Sequence, residues 1–213
     1  MPRNKYPEET VQKILDEALK LFIEKGYEQT TILDIVDNLG GLTRGAFYHH
    51  FKSKEEVLDA ISSKLFFENN PFAAVKKETG ISGLEKIKKM VMRQAKETDI
   101  AKIDMALISL LKDPRFLAEL VESNRKLLAP MLCELIEEGM DDGSIKKTDA
   151  KALSELYMLV VNLWWIPSLY PCNTEEYWNK VLFTKNIFDC IGFHVFDDEV
   201  IGHIKNKIIN MSE

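Results

Sequence analysis

The chain has 213 residues, room for one large or two small domains, and its 46% of hydrophobic residues is ample for packed cores. With 29% charged residues it reads as neither a disordered tail nor a membrane protein; its densest apolar run, Leu156 to Ile166, is half the roughly 20 residues needed to span a bilayer. A net charge of −6 excludes attraction of a polyanion by overall charge and leaves only a local basic face.

Met1 to Tyr6 carries Arg3 and Lys5 and reads as a short basic arm. Pro7, Glu8 and Glu9 open a helix, since proline suits the first turn and carboxylates suit the positive end of the helix dipole. Val11, Ile14, Leu15, Ala18, Leu19, Phe22 and Ile23 keep the three-four spacing of a core-facing stripe, and Gly26 ends it as a left-handed cap. The polar start Met1 to Glu9 is not a signal peptide, so a cytoplasmic location is expected. Cys133, Cys172 and Cys190 lack the close, matched spacing of a disulfide framework or zinc site and are expected as small buried residues in a reducing compartment.

Residues 30 to 51, TTILDIVDNLGGLTRGAFYHHF, are the informative stretch. Thr31 stands three residues before Asp34, and Ile32, Ile35, Val36 and Leu39 follow at helical spacing, which predicts a capped helix of two turns. Gly40-Gly41 breaks it, and Thr43 caps a second short helix whose Ala46, Phe47 and Phe51 point back toward the first. Two short helices joined by a glycine turn make a helix-turn-helix, whose second helix enters the DNA major groove. From Gly40 to Lys54 there is no acidic residue. Arg44 is placed for a base edge, with Thr43 and His49 beside it. Gly45 and Ala46 let the backbone approach a phosphate or thymine methyl, and Thr31, Tyr48, Lys52 and Lys54 are assigned to phosphates.

The run GGLTRGAFYHHFKSKEEVL resembles the recognition helix and following helix start of TetR-type transcriptional regulators, above all in Gly45 to Phe51 and Lys52 to Glu55. The resemblance reaches back through Thr30, Thr31 and the helix before them, about the first third of the chain. It implies that Tyr27 belongs to the three-helix core, that His50 packs beside it and that His49 faces DNA. Gly40-Gly41 departs from the family's usual alanine-glycine, and His49 from its frequent tryptophan or tyrosine; both bear on which operator is read.

Ser53 and Glu56 form a capping box for a fourth helix carrying Val57, Leu58, Ile61, Leu65 and Phe66, which Asn69-Asn70-Pro71 ends. The expected organisation is a DNA-binding domain over 1–52, a connecting helix over 53–69 and a ligand-binding and dimerisation domain over 70–213. Beyond a loop or weak helix over 76–83, helices are predicted from Ser82 to Thr98, Asp104 to Lys112 and Phe116 to Met140. Pro130 should distort the last of these near Lys126 to Ala129. Further helices follow from Asp149 to Ser168, Thr174 to Phe193 and around Val200 to Ile208, with no period-two run for a strand: the class is all-α.

The helix through Leu156 to Ile166 is apolar nearly all round, so both its sides need cover, one from the core and one from a partner chain. The resemblance implies the same, because TetR-type proteins dimerise through their last two large helices; Leu156, Leu159, Leu163 and Phe183 are assigned to that interface. It also implies a pocket for a small-molecule effector. Phe66, Met90, Met105 and Trp164 are the candidate lining, since methionine and aromatic side chains suit an apolar or flat ligand. No nucleophile–base pattern, phosphate loop or metal-ligand spacing is found, and the adjacent His49 and His50 diverge by about 100° on a helix. No enzyme, cofactor or metal is expected. The expected function is a ligand-responsive, homodimeric repressor that binds a pseudo-palindromic operator. The alternative is a helical small-molecule-binding or protein-interaction module that has lost DNA binding, supported by the 9 Lys+Arg against 12 Asp+Glu in residues 1–68.

Overall fold

The structure is a computed structural model and describes residues 7–67, 71–96, 111 and 114–210. All regular structure among the described residues is helical, as the apolar spacing requires. The chain divides into two compact units, Met1–Asn69 with Ile103–Leu120, and Asn70–Lys102 with Val121–Glu213.

In the first unit, α1 (Pro7–Lys25), α2 (Ile32–Asn38), α3 (Arg44–His50) and α4 (Lys54–Phe67) follow the predicted order. Ile14, Ala18, Phe22, Ile35, Phe47, Val57 and Ile61 form the buried side of these helices. Tyr27 is buried with its ring edge against Phe22 at 5.1 Å. Gly26 caps α1 at φ 87°, and the α2–α3 turn uses Gly40 at φ 50° and Gly41 at φ 110°, backbone that a side chain would strain. α4 keeps half of its expected box: Glu56 N–H donates to Ser53 Oγ, while the Glu56 carboxylate accepts from Lys52 N–H instead of Ser53.

One difference from the expected boundaries concerns α7 (Pro114–Ser123), placed by sequence in the C-terminal domain. Its first part belongs to the first unit: Phe116 and Leu120 are buried, and Arg115 pairs with Glu55 at 3.1 Å. Local periodicity cannot tell which of two cores an apolar stripe will join.

The second unit holds α5 (Pro71–Lys76), α6 (Gly83–Lys96), α8 (Ala129–Asp141), α9 (Ala150–Leu159), α10 (Thr174–Cys190) and α11 (Asp198–Asn210). The helix predicted over Asp104–Lys112 lies outside the described residues, Leu111 excepted. The start of α6 sits on α8 so closely that a Cβ on Gly83 would lie 2.3 Å from Gly139 N. The free N–H groups of Gly83 and Leu84 are taken by Asp142 and Ser144. Around Leu132, Ile136, Tyr157, Phe188, Phe193 and Phe196 the core is continuous.

The irregularity expected from Pro130 is a π-helical turn, Asn124–Leu128, between α7 and α8. Pro130 offers no N–H and its ring crowds the Lys126 carbonyl, so a wider turn just before it relieves the clash. A second π turn, Val160–Trp164, continues α9 and has no proline within it. The cysteines differ from expectation: Cys133 and Cys172 are half-buried and Cys190 is exposed, all three as free thiols.

Candidate nucleic-acid interface

Helix α3 is short and capped at its start, where Thr43 Oγ1 accepts from Ala46 N–H at 3.2 Å. The hydroxyl proton of Thr43 therefore stays available to an outside acceptor. Phe47 is fully buried and fixes the rotation of the helix. That rotation exposes Arg44, Gly45, Tyr48 and His49, with Ala46 and His50 half-buried and Lys52 exposed just beyond the helix. A Cβ on Gly45 would meet nothing closer than Thr43 Oγ1 at 4.0 Å, so the fold does not require glycine there.

The charges of the unit are unevenly committed. Lys25 pairs with Asp34, Lys64 with Asp16 and Lys20 with Glu17. The side chains of Arg44 and Lys52 have no hydrogen-bond or ion-pair partner among the described residues. Glu55, Asp59 and Glu119 line an open groove of about 420 Å³ with Tyr27 and Arg115, and none of them lies on α3. Burial pushes the Tyr27 hydroxyl there up to about 12, against the pull of Arg115. These three carboxylates therefore lie off α3, and a local basic face, not the net charge, is what DNA would meet.

Two residues assigned to phosphates are placed otherwise. Thr31 is the N-cap of α2 in a full capping box, accepting from Asp34 N–H and giving its one hydroxyl proton to Asp34 Oδ2 at 2.7 Å. Lys25, followed by Thr31, holds the Asp34 carboxyl well below the usual carboxylate range, so a phosphate at Thr31 would meet a charged carboxylate. Lys54 turns its ammonium inward. It donates to the carbonyls of Tyr27, Thr30 and Glu28 at 2.6, 2.9 and 3.4 Å and stands 4.2 Å from the centre of the Tyr27 ring. With three carbonyls within reach of its three N–H bonds, Lys54 straps the α1–α2 loop. Sequence reasoning missed this role, and the buried Thr30 hydroxyl that reaches the Leu21 and Gly26 carbonyls. The signal was the run of loop carbonyls after Gly26 that had no donor assigned.

In the second unit, Leu156, Leu159 and Phe183 are 41%, 52% and 57% exposed, joined by Ile187 and Ile191, while Leu163 is half-buried. On α9 they sit three residues apart, and on α10 four apart, one stripe on each helix. Trp164 meets Phe183 edge to face at 6.2 Å, and Trp165 Nε1 donates to Thr184 Oγ1 at 3.0 Å, so the stripes run side by side. Of the candidate pocket residues, Met90 is fully buried in the apolar core, Trp164 is half-buried, and the side chains of Phe66 and Met105 lie outside the described residues.

Residues 14–61 match the family model described as bacterial regulatory proteins, tetR family. Its N-terminal region is that of the TetR family. It is 29% identical over 141 residues, 63% of its length, to the transcriptional repressor KstR2 of Mycolicibacterium smegmatis, and the match spans 66% of that protein. It shares 36% identity over 80 residues with the Tn10 TetC protein of Escherichia coli, 37% of this chain and 40% of TetC. The chain thus spans less than two thirds of these curated relatives. Among structures, a TetR/AcrR regulator from Thermobifida fusca superposes with a TM-score of 0.55 at 27% identity, covering 79% of this chain and 88% of its own. The TetR family comprises regulators, not enzymes, and no described helix is long and apolar enough to cross a membrane.

Proposed function

We propose that this protein is a TetR-family repressor that binds a pseudo-palindromic operator as a homodimer and leaves it when a small molecule binds the second unit. The observation that carries DNA reading is the exposed, acid-free face of α3, where Arg44 and Lys52 are uncommitted while three other lysines of the unit pair with carboxylates. In this reading Arg44, Thr43 and His49 meet base edges, Gly45 and Ala46 allow close approach, and Tyr48 and Lys52 hold phosphates. The repressor sign is supported by the name of KstR2.

The exposed apolar stripes of α9 and α10 support the homodimer. A second copy laid on them forms a four-helix contact in which each chain covers the same surface of the other. Such a dimer presents two α3 helices to successive major grooves, about 34–36 Å apart. An effector that prefers a different separation draws the population off DNA, by no more than its differential affinity for the two states.

The test is binding of the purified protein to a fluorescent fragment of its own upstream DNA, with random DNA as competitor across a salt series. Saturable, competitor-resistant binding by two protomers is expected. If random sequences compete equally, and selection from a random library enriches no motif, the DNA-reading assignment fails.

A further inference from the structure

Two π-helical turns meet in the second unit, and the side chains that join them are both asparagines. Asn124 opens the turn Asn124–Leu128, and Asn162 sits within Val160–Trp164. Asn162 Nδ2 donates to Asn124 Oδ1 at 2.9 Å and lies 3.5 Å from the Met158 sulfur. Both acceptors face one nitrogen, which fixes the orientation of the pair and turns Asn124 Nδ2 away from it. Asn124 is only 5% exposed, and its Nδ2 has no hydrogen-bond partner. Lys86 is satisfied by Glu138, Ser154 by the Lys151 carbonyl, and Thr184 by Trp165 and the Lys180 carbonyl, whereas the Tyr157 hydroxyl and Ser168 Oγ are, like Asn124 Nδ2, buried without a partner; of these three only Asn124 belongs to a π turn. A buried donor without an acceptor is costly, and π turns are rare and frequently fall at functional sites. Pro130 explains the first turn, and Pro167, whose ring crowds the Leu163 carbonyl, stands behind the second in the same way; together the two turns present Asn162 to Asn124.

We propose that the Asn124–Asn162 pair is the polar end of a ligand site in the second unit, and that it takes an apolar molecule carrying a neutral carbonyl oxygen. This rests on the reading of that unit as the effector-binding part. The free amide N–H supplies a donor, so the ligand supplies the acceptor. The one buried cation among the described residues, Lys86, is already neutralised by Glu138, and a carboxylate ligand would be desolvated without a counter-charge. A ketone, ester or amide oxygen avoids that cost. Met158 beside the pair, with half-buried Leu128 and Met131, supplies adaptable apolar contact.

Calorimetric titration of the full chain with 2-nonanone, and with 1-chlorononane of matched size but no carbonyl, tests the site. The wild type should bind the ketone about tenfold more tightly, the worth of one hydrogen bond. The double variant Asn124→Leu/Asn162→Leu should level the two probes and melt close to the wild type, because it removes the unsatisfied donor together with the partner that a single change would strand. A ketone preference that survives the double variant overturns the proposal, as does a wild type that binds neither probe or prefers neither. A double variant that melts well below the wild type makes the pair a structural clasp and overturns it as well. Operator binding by the same wild-type preparation separates failure of this site from failure of the regulator reading.

Discussion

The face of α3 and the stripes on α9 and α10 are both surfaces left open, and they are open in opposite ways. On α3 the apolar side chain, Phe47, is fully buried, while charged and polar groups stand outward without partners. On α9 and α10 four large apolar side chains, and a fifth, Ile191, just past the end of α10, are exposed beside an intact core. Water solvates the first surface well, so binding there depends on matched polar groups and on salt. Water solvates the second poorly, so covering it is favourable in itself. The contrast teaches that one chain can carry two recognition surfaces whose partners are told apart by what is left unsatisfied.

The largest test breaks the apolar side. Phe183→Glu places a carboxylate in the middle of the stripes, twice over in a symmetric dimer, and should raise the dimer dissociation constant by roughly 100-fold or more. Sedimentation equilibrium reads this directly. A Phe183→Glu protein as dimeric as the wild type would mean that another surface joins the subunits.

On the polar side, Lys54 and Arg44 should separate cleanly. Lys54→Met strands the carbonyls of Tyr27, Glu28 and Thr30 and should lower the stability of the fold by about 2 kcal/mol. The slope of operator affinity against salt should stay as in the wild type; a slope smaller by about one would restore Lys54 to the phosphates. Arg44→Ala should leave the melting temperature unchanged and cost about 1–3 kcal/mol of discrimination between operator and random DNA. Equal losses on both DNAs would make Arg44 a phosphate contact.

The smallest effect belongs to Gly45→Ala. The space around Gly45 accepts a methyl group, and alanine favours helix by about 0.5–1 kcal/mol, so the variant should melt slightly higher while binding operator more weakly. Stronger operator binding would show that the backbone does not approach DNA at this position.

Much of the polar surface was legible in the sequence because its signals are local. The Thr31 and Thr43 caps, the Gly26 stop and the Gly40-Gly41 turn each act within a few residues, and each stands where its spacing places it. The partners that Thr31 and Lys54 take within the fold were not legible for one reason: which partner a hydroxyl or an ammonium takes is settled by the groups folding brings near it. Lys54 meets carbonyls 24 to 27 residues earlier in the chain, a distance no periodicity covers.

What the sequence determined by itself is therefore the helical class, the order of the elements in the first unit and the chemistry offered by α3, all consequences of short-range spacing and capping. What only the tertiary structure decided is the placing of Arg115 and Phe116 in the first unit, the inward turn of Lys54, the exposure of the α9 and α10 stripes and the meeting of Asn124 with Asn162. Each of these depends on the balance between burying apolar area and leaving a polar group unpaired. That balance is struck between residues far apart in the chain, once their helices have packed.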